Sequence, residues 1–171
     1  MAERAYSLVT RVVGLAGWGR SKGEMDHGGA PATPAILIVD DEPGITATLA
    51  DLLVDEGYQV ATARDGPGAE AALADLATPP ALLLLDVMLP GVSGLAVCRQ
   101  LRSAPEMRDV PVVFITVVPP DWLLEHLDDC PGASILPKPF RFAELLDAVH
   151  RHVAPPAGDG DGAPPPLARL A

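Results

Sequence analysis

The chain has 171 residues, 49 % apolar and 20 % charged, with a net charge of −11 at pH 7. That length suffices for one domain with a real core. The acidic balance argues against a nucleic-acid partner, which needs a basic face, and no apolar stretch approaches the roughly 20 residues that span a bilayer.

In chain order, AYSLVTRVVGLAGWG near the start is apolar with interspersed arginines. It reads as a short amphipathic helix on a membrane or partner surface, or as the product of an over-early start, since Met25 lies closer to the domain. RSKGEMDHGGAPATPA reads as a flexible linker, so residues 1–34 form an extension before the domain. From Ala35 an alternation of strands and helices begins. Ala35–Asp40 is a continuous apolar run, the mark of a strand buried on both faces. Pro43 and Gly44 open a helix with Ile45, Leu49, Leu52 and Leu53 on its stripe and Gly57 at its end. Tyr58–Ala63 is a second strand. Gly66–Pro67–Gly68 reads as a turn, and Ala69–Ala77 as a helix ended by Pro79–Pro80.

Ala81–Asp86 is the third strand, followed by the loop MLPGVSG and a helix over Leu95–Ser103. Val110–Val117 is the fourth strand. A fourth helix is expected over Asp121–Asp129, with Trp122, Leu123 and Leu127 packing inward. Ala133–Leu136 is the fifth strand, and Phe140–Val153 the last helix, with Phe142, Leu145, Leu146 and Val149 on one face. Residues 155–171 are rich in proline and glycine and read as a disordered tail.

Five strands alternating with five helices specify an α/β fold: a doubly wound parallel sheet with helices on both faces. Right-handed crossovers favour the flavodoxin-like order 2-1-3-4-5 over residues 35–154, with a switch point between strands one and three. Cys98 and Cys130 fit no metal-ligand spacing. Cys98 reads as a small buried hydrophobe, which suits a reducing compartment.

The chemistry-bearing residues cluster at strand ends, where ligands bind in such sheets. Asp40 and Asp41 follow AILIV. Two adjacent carboxylates repel unless a cation lies between them, and oxygen-ligating Mg²⁺ suits that place; they also suit the positive end of a helix. Asp86 closes LLLLD, where a carboxylate after four leucines costs solvation. Thr116 closes VVFIT. Lys138 stands between Pro137 and Pro139, and the proline after it raises the chance of a cis bond that directs the lysine. Together the five residues describe an acidic pocket with a hydroxyl and an ammonium, suited to an aspartate that accepts a phosphoryl group.

IVDDEPG, LLLLDVMLPGVSG, FIT and LPKPF together resemble the receiver domain of two-component response regulators, from about Ala35 to Val153. The resemblance implies that Asp86 is the phosphoacceptor, taking its phosphoryl group from a phosphohistidine on a histidine kinase or histidine phosphotransfer protein. It implies Mg²⁺ held by Asp40, Asp41, Asp86 and the main-chain carbonyl of Met88. Thr116 would hydrogen-bond the phosphoryl group and Lys138 would pair with it. The output would be a shift of the face built from the fourth helix, fifth strand and fifth helix, which binds a downstream protein or a second copy. The resemblance also implies a cytoplasmic bacterial protein without a separate catalytic domain.

Three positions depart from the family pattern. Val117 stands where a small residue is usual and is expected to narrow access to Asp86. Ile135 stands where an aromatic partner of the Thr116 switch is common. Pro137 precedes the lysine. Met88 and Val118 offer no side chain to orient a hydrolytic water, which implies a long-lived phosphorylated state. Two other readings compete with a stand-alone receiver. One is a receiver-shaped binding module that never carries phosphate. The other is a Mg²⁺-dependent aspartyl phosphohydrolase, although its two-apart acidic pair would here be Asp40 and Glu42.

Overall fold

The computed structural model describes residues 33–127 and 130–156. The predicted N-terminal surface helix, most of the linker and nearly all of the tail lie outside the described residues. Five parallel strands form one sheet in the order β2-β1-β3-β4-β5. They are β1 (Ala35–Val39), β2 (Gln59–Ala63), β3 (Leu82–Leu85), β4 (Val112–Thr116) and β5 (Ser134–Pro137). The helices are α1 (Pro43–Asp55), α2 (Gly66–Asp75), α3 (Gly94–Arg102), α4 (Pro120–Leu124) and α5 (Phe142–His150), with a 3₁₀ turn at Pro105–Met107. The fold class and strand order expected from the sequence are both present.

Strand composition accounts for strand position. β1, β3 and β4 are buried at every residue, and they take the three central places. β2 and β5 are partly exposed and lie at the edges. Because side chains alternate across a sheet, one continuous apolar run feeds two cores. Leu37, Val39, Leu83, Leu85, Val112 and Phe114 pack with Leu73 of α2, Val97 of α3 and Leu123 of α4. Ile36, Ile38, Leu82, Leu84, Val113 and Ile115 pack with Leu49 and Leu53 of α1 and Leu145 and Val149 of α5. A one-residue slip of any central strand would exchange its two faces between these cores, so register is strongly specified.

Element boundaries differ from expectation in informative ways. Gly66–Pro67–Gly68 is the first turn of α2 rather than a separate turn. Asp65 caps that helix by accepting from Gly68 N at 2.7 Å, and Pro67 suits a first-turn position, where its missing N–H has no intrahelical partner. α4 is a short helix of five residues, not one that runs from Asp121 to Asp129. Leu123 is fully buried, but Trp122 is half exposed and stacks on His126 instead of entering the core. Phe142 also stays at the surface, because it is the first residue of α5 while Leu145 and Val149 face inward. Cys98 is buried as expected, yet it is joined to Cys130 as a disulfide. The reading of Cys98 as no more than a small buried hydrophobe is therefore corrected, and the inference of a reducing compartment loses its basis.

Candidate functional site

Each sequence-selected residue sits at the carboxyl edge of the sheet. Asp40 and Asp41 directly follow β1, Asp86 follows β3, Thr116 ends β4 and Lys138 follows β5. The strands stop one residue short of Asp40 and Asp86, but backbone pairing continues through them. Asp40 N donates to Ala63 O at 3.1 Å and Asp86 N to Val39 O at 2.9 Å. The carboxylates are thus held by the ladder itself, at the switch point between β1 and β3.

Both buried acids are oriented in the same way. Asp40 Oδ1 accepts from Glu42 N at 2.9 Å, and Asp86 Oδ1 from Met88 N at 2.8 Å. The second oxygen of each accepts from Lys138 Nζ, at 2.7 Å for Asp40 and 2.6 Å for Asp86. Asp40 is 0 % exposed and Asp86 4 %, so the ammonium offsets charge that water hardly reaches. Glu42 Oε1 is 3.6 Å from the same nitrogen. Sequence reasoning read Glu42 as following the acidic pair and as the second acid of the phosphohydrolase alternative, and its carboxylate faces the lysine.

Burial pushes the Lys138 ammonium down from its ordinary value of 10.5, but hydrogen bonds to Asp40 and Asp86 and their negative charges outweigh it, so its pKa is raised. Lys138→Met keeps the bulk and removes the charge. It is expected to cost about 2 kcal/mol at neutral pH, read by urea unfolding. The contribution of a raised lysine is fully present below 10.5 and is lost as pH rises through the higher folded value. The gap between wild type and variant should stay constant through neutral pH and narrow only in strong alkali. A gap already closing between about pH 7 and 9 would contradict the pairing.

Thr116 is fully buried. Its Oγ1 accepts from Val118 N at 3.3 Å, and its carbonyl accepts from Lys138 N at 2.8 Å. The threonine and lysine are therefore joined through the backbone pairing of β4 with the end of β5. The Lys138–Pro139 bond is cis, as the sequence context suggested. Ile135 lies opposite Phe114 in the sheet and packs against the core on that side. Val117 is 67 % exposed and Met88 59 %, so both stand in solvent at the carboxyl edge.

Carboxylate oxygens of Asp40, Asp41 and Asp86 lie within 4.8 Å of one another. A hard cation with oxygens at ~2.1 Å places opposed ligands ~4.2 Å apart. Three oxygen donors at this spacing, one of them on an exposed residue, suit such an ion.

Sequence reasoning passed over Gly94. A Cβ there would lie 2.0 Å from Asp86 O and 2.8 Å from Asp86 C. The start of α3, capped by Ser93 Oγ on Ala96 N, thus packs directly on the backbone of the central acid. The signal available was the second glycine of MLPGVSG, placed just inside a helix where glycine is otherwise unfavourable.

Residues 36–150 match the family model described as the response regulator receiver domain. Response regulator MprA of Mycolicibacterium vanbaalenii is 38 % identical over 133 residues, which cover 75 % of this chain and 55 % of that protein. The chain thus spans about half the length of this relative. Chemotaxis protein CheY4 of Vibrio cholerae superposes with a TM-score of 0.67 at 25 % identity, over 71 % of this chain and 100 % of that one. The receiver domain of sensor histidine kinase PA1611 from Pseudomonas aeruginosa, solved with a magnesium ion in its active site cleft, gives a TM-score of 0.62 at 28 % identity. It covers 71 % of this chain and 98 % of that chain. With the fold, the strand order and the acid–lysine cluster in place, the chain belongs to the response regulator receiver domain family.

Proposed function

We propose that the chain is a phosphoacceptor in which Asp86 takes a phosphoryl group from a phosphohistidine donor. The observation that carries this reading is Lys138 Nζ spanning Asp40 and Asp86 at 2.7 and 2.6 Å, beside Asp41, with Lys138 N bonded to Thr116 O. The carboxylate of Asp86 attacks phosphorus in line with the departing imidazole nitrogen. A P–N bond breaks as an O–P bond forms. Met88 N and the ladder bond from Asp86 N hold the nucleophile in position during this exchange. Lys138 turns from a carboxylate oxygen to a phosphoryl oxygen, and the Thr116 hydroxyl donates to another.

Mg²⁺ is the proposed cofactor, held by Asp40, Asp41, Asp86 and the Met88 carbonyl; when bound, it neutralises charge on the phosphoryl oxygens. The new charge beside Thr116 and Lys138 draws both groups inward. Because Lys138 N is bonded to Thr116 O, their movement is carried into β4, β5 and the α4–β5–α5 face. That face is the proposed docking surface for a downstream protein or a second copy, with Ile135 filling the switch position as an aliphatic side chain. The partners proposed are a histidine kinase or histidine phosphotransfer protein, and the place is the cytoplasm.

The test uses phosphoramidate with Mg²⁺ and intact-mass measurement. The expected result is a gain of one phosphoryl group that disappears when the metal is chelated. Absence of any gain across a range of Mg²⁺ concentrations would favour a receiver-shaped binding module instead.

A further inference from the structure

We propose that Cys98 and Cys130 form a reversible thiol–disulfide pair whose oxidation state sets how readily the segment between β4 and β5 opens. Its signalling consequence rests on the phosphoacceptor reading, but the mechanical claim does not.

The segment bears directly on the site. It is bounded by Thr116, the last residue of β4, and by β5, after which Lys138 follows directly. It is lightly held. α4 has only five residues, Leu123 is its buried anchor, and Trp122 and Leu124 lie at the surface. Among the described residues, Cys130 is the next fully buried side chain along it. The disulfide ties Cys130 to the inward face of α3, among Val97 and Leu101. The start of α3 is itself fixed to the acceptor loop, because Gly94 N donates to Val87 O at 2.9 Å and Gly94 leaves no room beside Asp86 O. The bridge therefore connects the segment between Thr116 and β5 to the helix seated on Asp86.

Both redox states suit the fold. The surroundings of the two sulfurs are apolar, and a pair of thiols fits them as small hydrophobes. At 0 % and 1 % exposure neither sulfur meets an external reagent while the segment is closed. Exchange thus depends on opening of the segment. Cys130 lies in a loop and Cys98 within a helix, so the Cys130 thiolate attacks a low-molecular-weight disulfide first. One thiol departs and a mixed disulfide forms. Cys98, as thiolate, then displaces the second thiol and closes the bridge. Two protein thiols and one disulfide become one protein disulfide and two thiols. The electron pair passes to the reagent, and the two protons end on its thiols.

The test uses the full chain, unphosphorylated, equilibrated with glutathione at ratios from fully reduced to fully oxidised. Alkylation and mass measurement count free thiols, and hydrogen exchange is read on residues 117–127. The expected result is interconversion between two free thiols and none, with exchange in this segment at least tenfold slower when oxidised. A Cys98→Ser, Cys130→Ser double variant should match the reduced rate under both conditions. A single variant, Cys98→Ala, serves if the double variant fails to fold. Thiols that never interconvert in the folded protein, or equal exchange in both states, would overturn the proposal. Phosphoryl gain at Asp86 is measured separately in each redox state. Its absence in both would count against the phosphoacceptor reading and leave the exchange result to decide the clamp.

Discussion

Asp86→Asn should reduce phosphoryl incorporation from phosphoramidate to background while the protein stays folded. The amide is nearly isosteric with the carboxylate, so β3 and the loop after it keep their shape. It lacks the anionic oxygen that attacks phosphorus, which is the whole of the nucleophile. It also cannot satisfy both of its neighbours. In the wild type one oxygen accepts from Met88 N and the other from Lys138 Nζ. Either orientation of an amide turns its NH₂ toward a donor. The loss of one charged hydrogen bond is partly offset by relief of repulsion with Asp40 and Asp41, so the stability change should stay within about 2 kcal/mol. Mass spectrometry reads the incorporation and urea unfolding the stability. A folded variant that still gains one phosphoryl group would move the acceptor to another residue and end the mechanism proposed above.

Gly94→Ala should be among the most damaging single substitutions in the domain. The added methyl would stand 2.0 Å from Asp86 O, 2.8 Å from Asp86 C and 3.0 Å from the Val87 Cα. All three are backbone atoms, so no side-chain rotation relieves the overlap. Either α3 lifts from the sheet or the loop after Asp86 moves, and the bond from Gly94 N to Val87 O goes with it. The expected cost is about 3 kcal/mol or more, or a fall of roughly 10 °C or more in Tm for a domain of this size. Gly44→Ala is the matched control. Nothing lies within 4 Å of its added methyl, and alanine is the better helix former in α1. It should be neutral or stabilising by up to about 1 kcal/mol. Circular-dichroism melts of the two variants decide the matter. An unchanged Tm for Gly94→Ala would mean that α3 does not press on the Asp86 backbone.

The two variants separate two roles of one place. Asp86 is the proposed site of chemistry, and Gly94 supplies the close contact between α3 and the Asp86 backbone. Only the first was visible as a residue type suited to a reaction. Gly94 was passed over because its importance is a distance between two backbones, which no local pattern records.

Much of the architecture was legible because it is local. AILIV, LLLL and VVFIT announce buried parallel strands through unbroken apolar character, and their polar terminal residues announce the functional edge. Asp40, Asp41, Asp86, Thr116 and Lys138 could be selected because strand ends in such a sheet share one side. Short connections and crossover handedness left few strand orders, of which 2-1-3-4-5 was favoured. Errors arose where a local pattern had two meanings. Gly66–Pro67–Gly68 is equally a turn and a helix start, and the Asp65 cap decided for the helix. Trp122 and Phe142 have the apolar character of core residues, but each lies on a short or just-begun helix turned toward solvent.

The sequence by itself therefore determined the class of fold, the edge that carries chemistry and the residue types gathered there. Tertiary structure alone decided three things: that one ammonium spans Asp40 and Asp86, that Cys98 meets Cys130, and that α3 rests on the Asp86 backbone. The reason is physical. Strand and helix patterns arise from neighbours a few residues apart, whereas these contacts join groups brought together only when the sheet is wound.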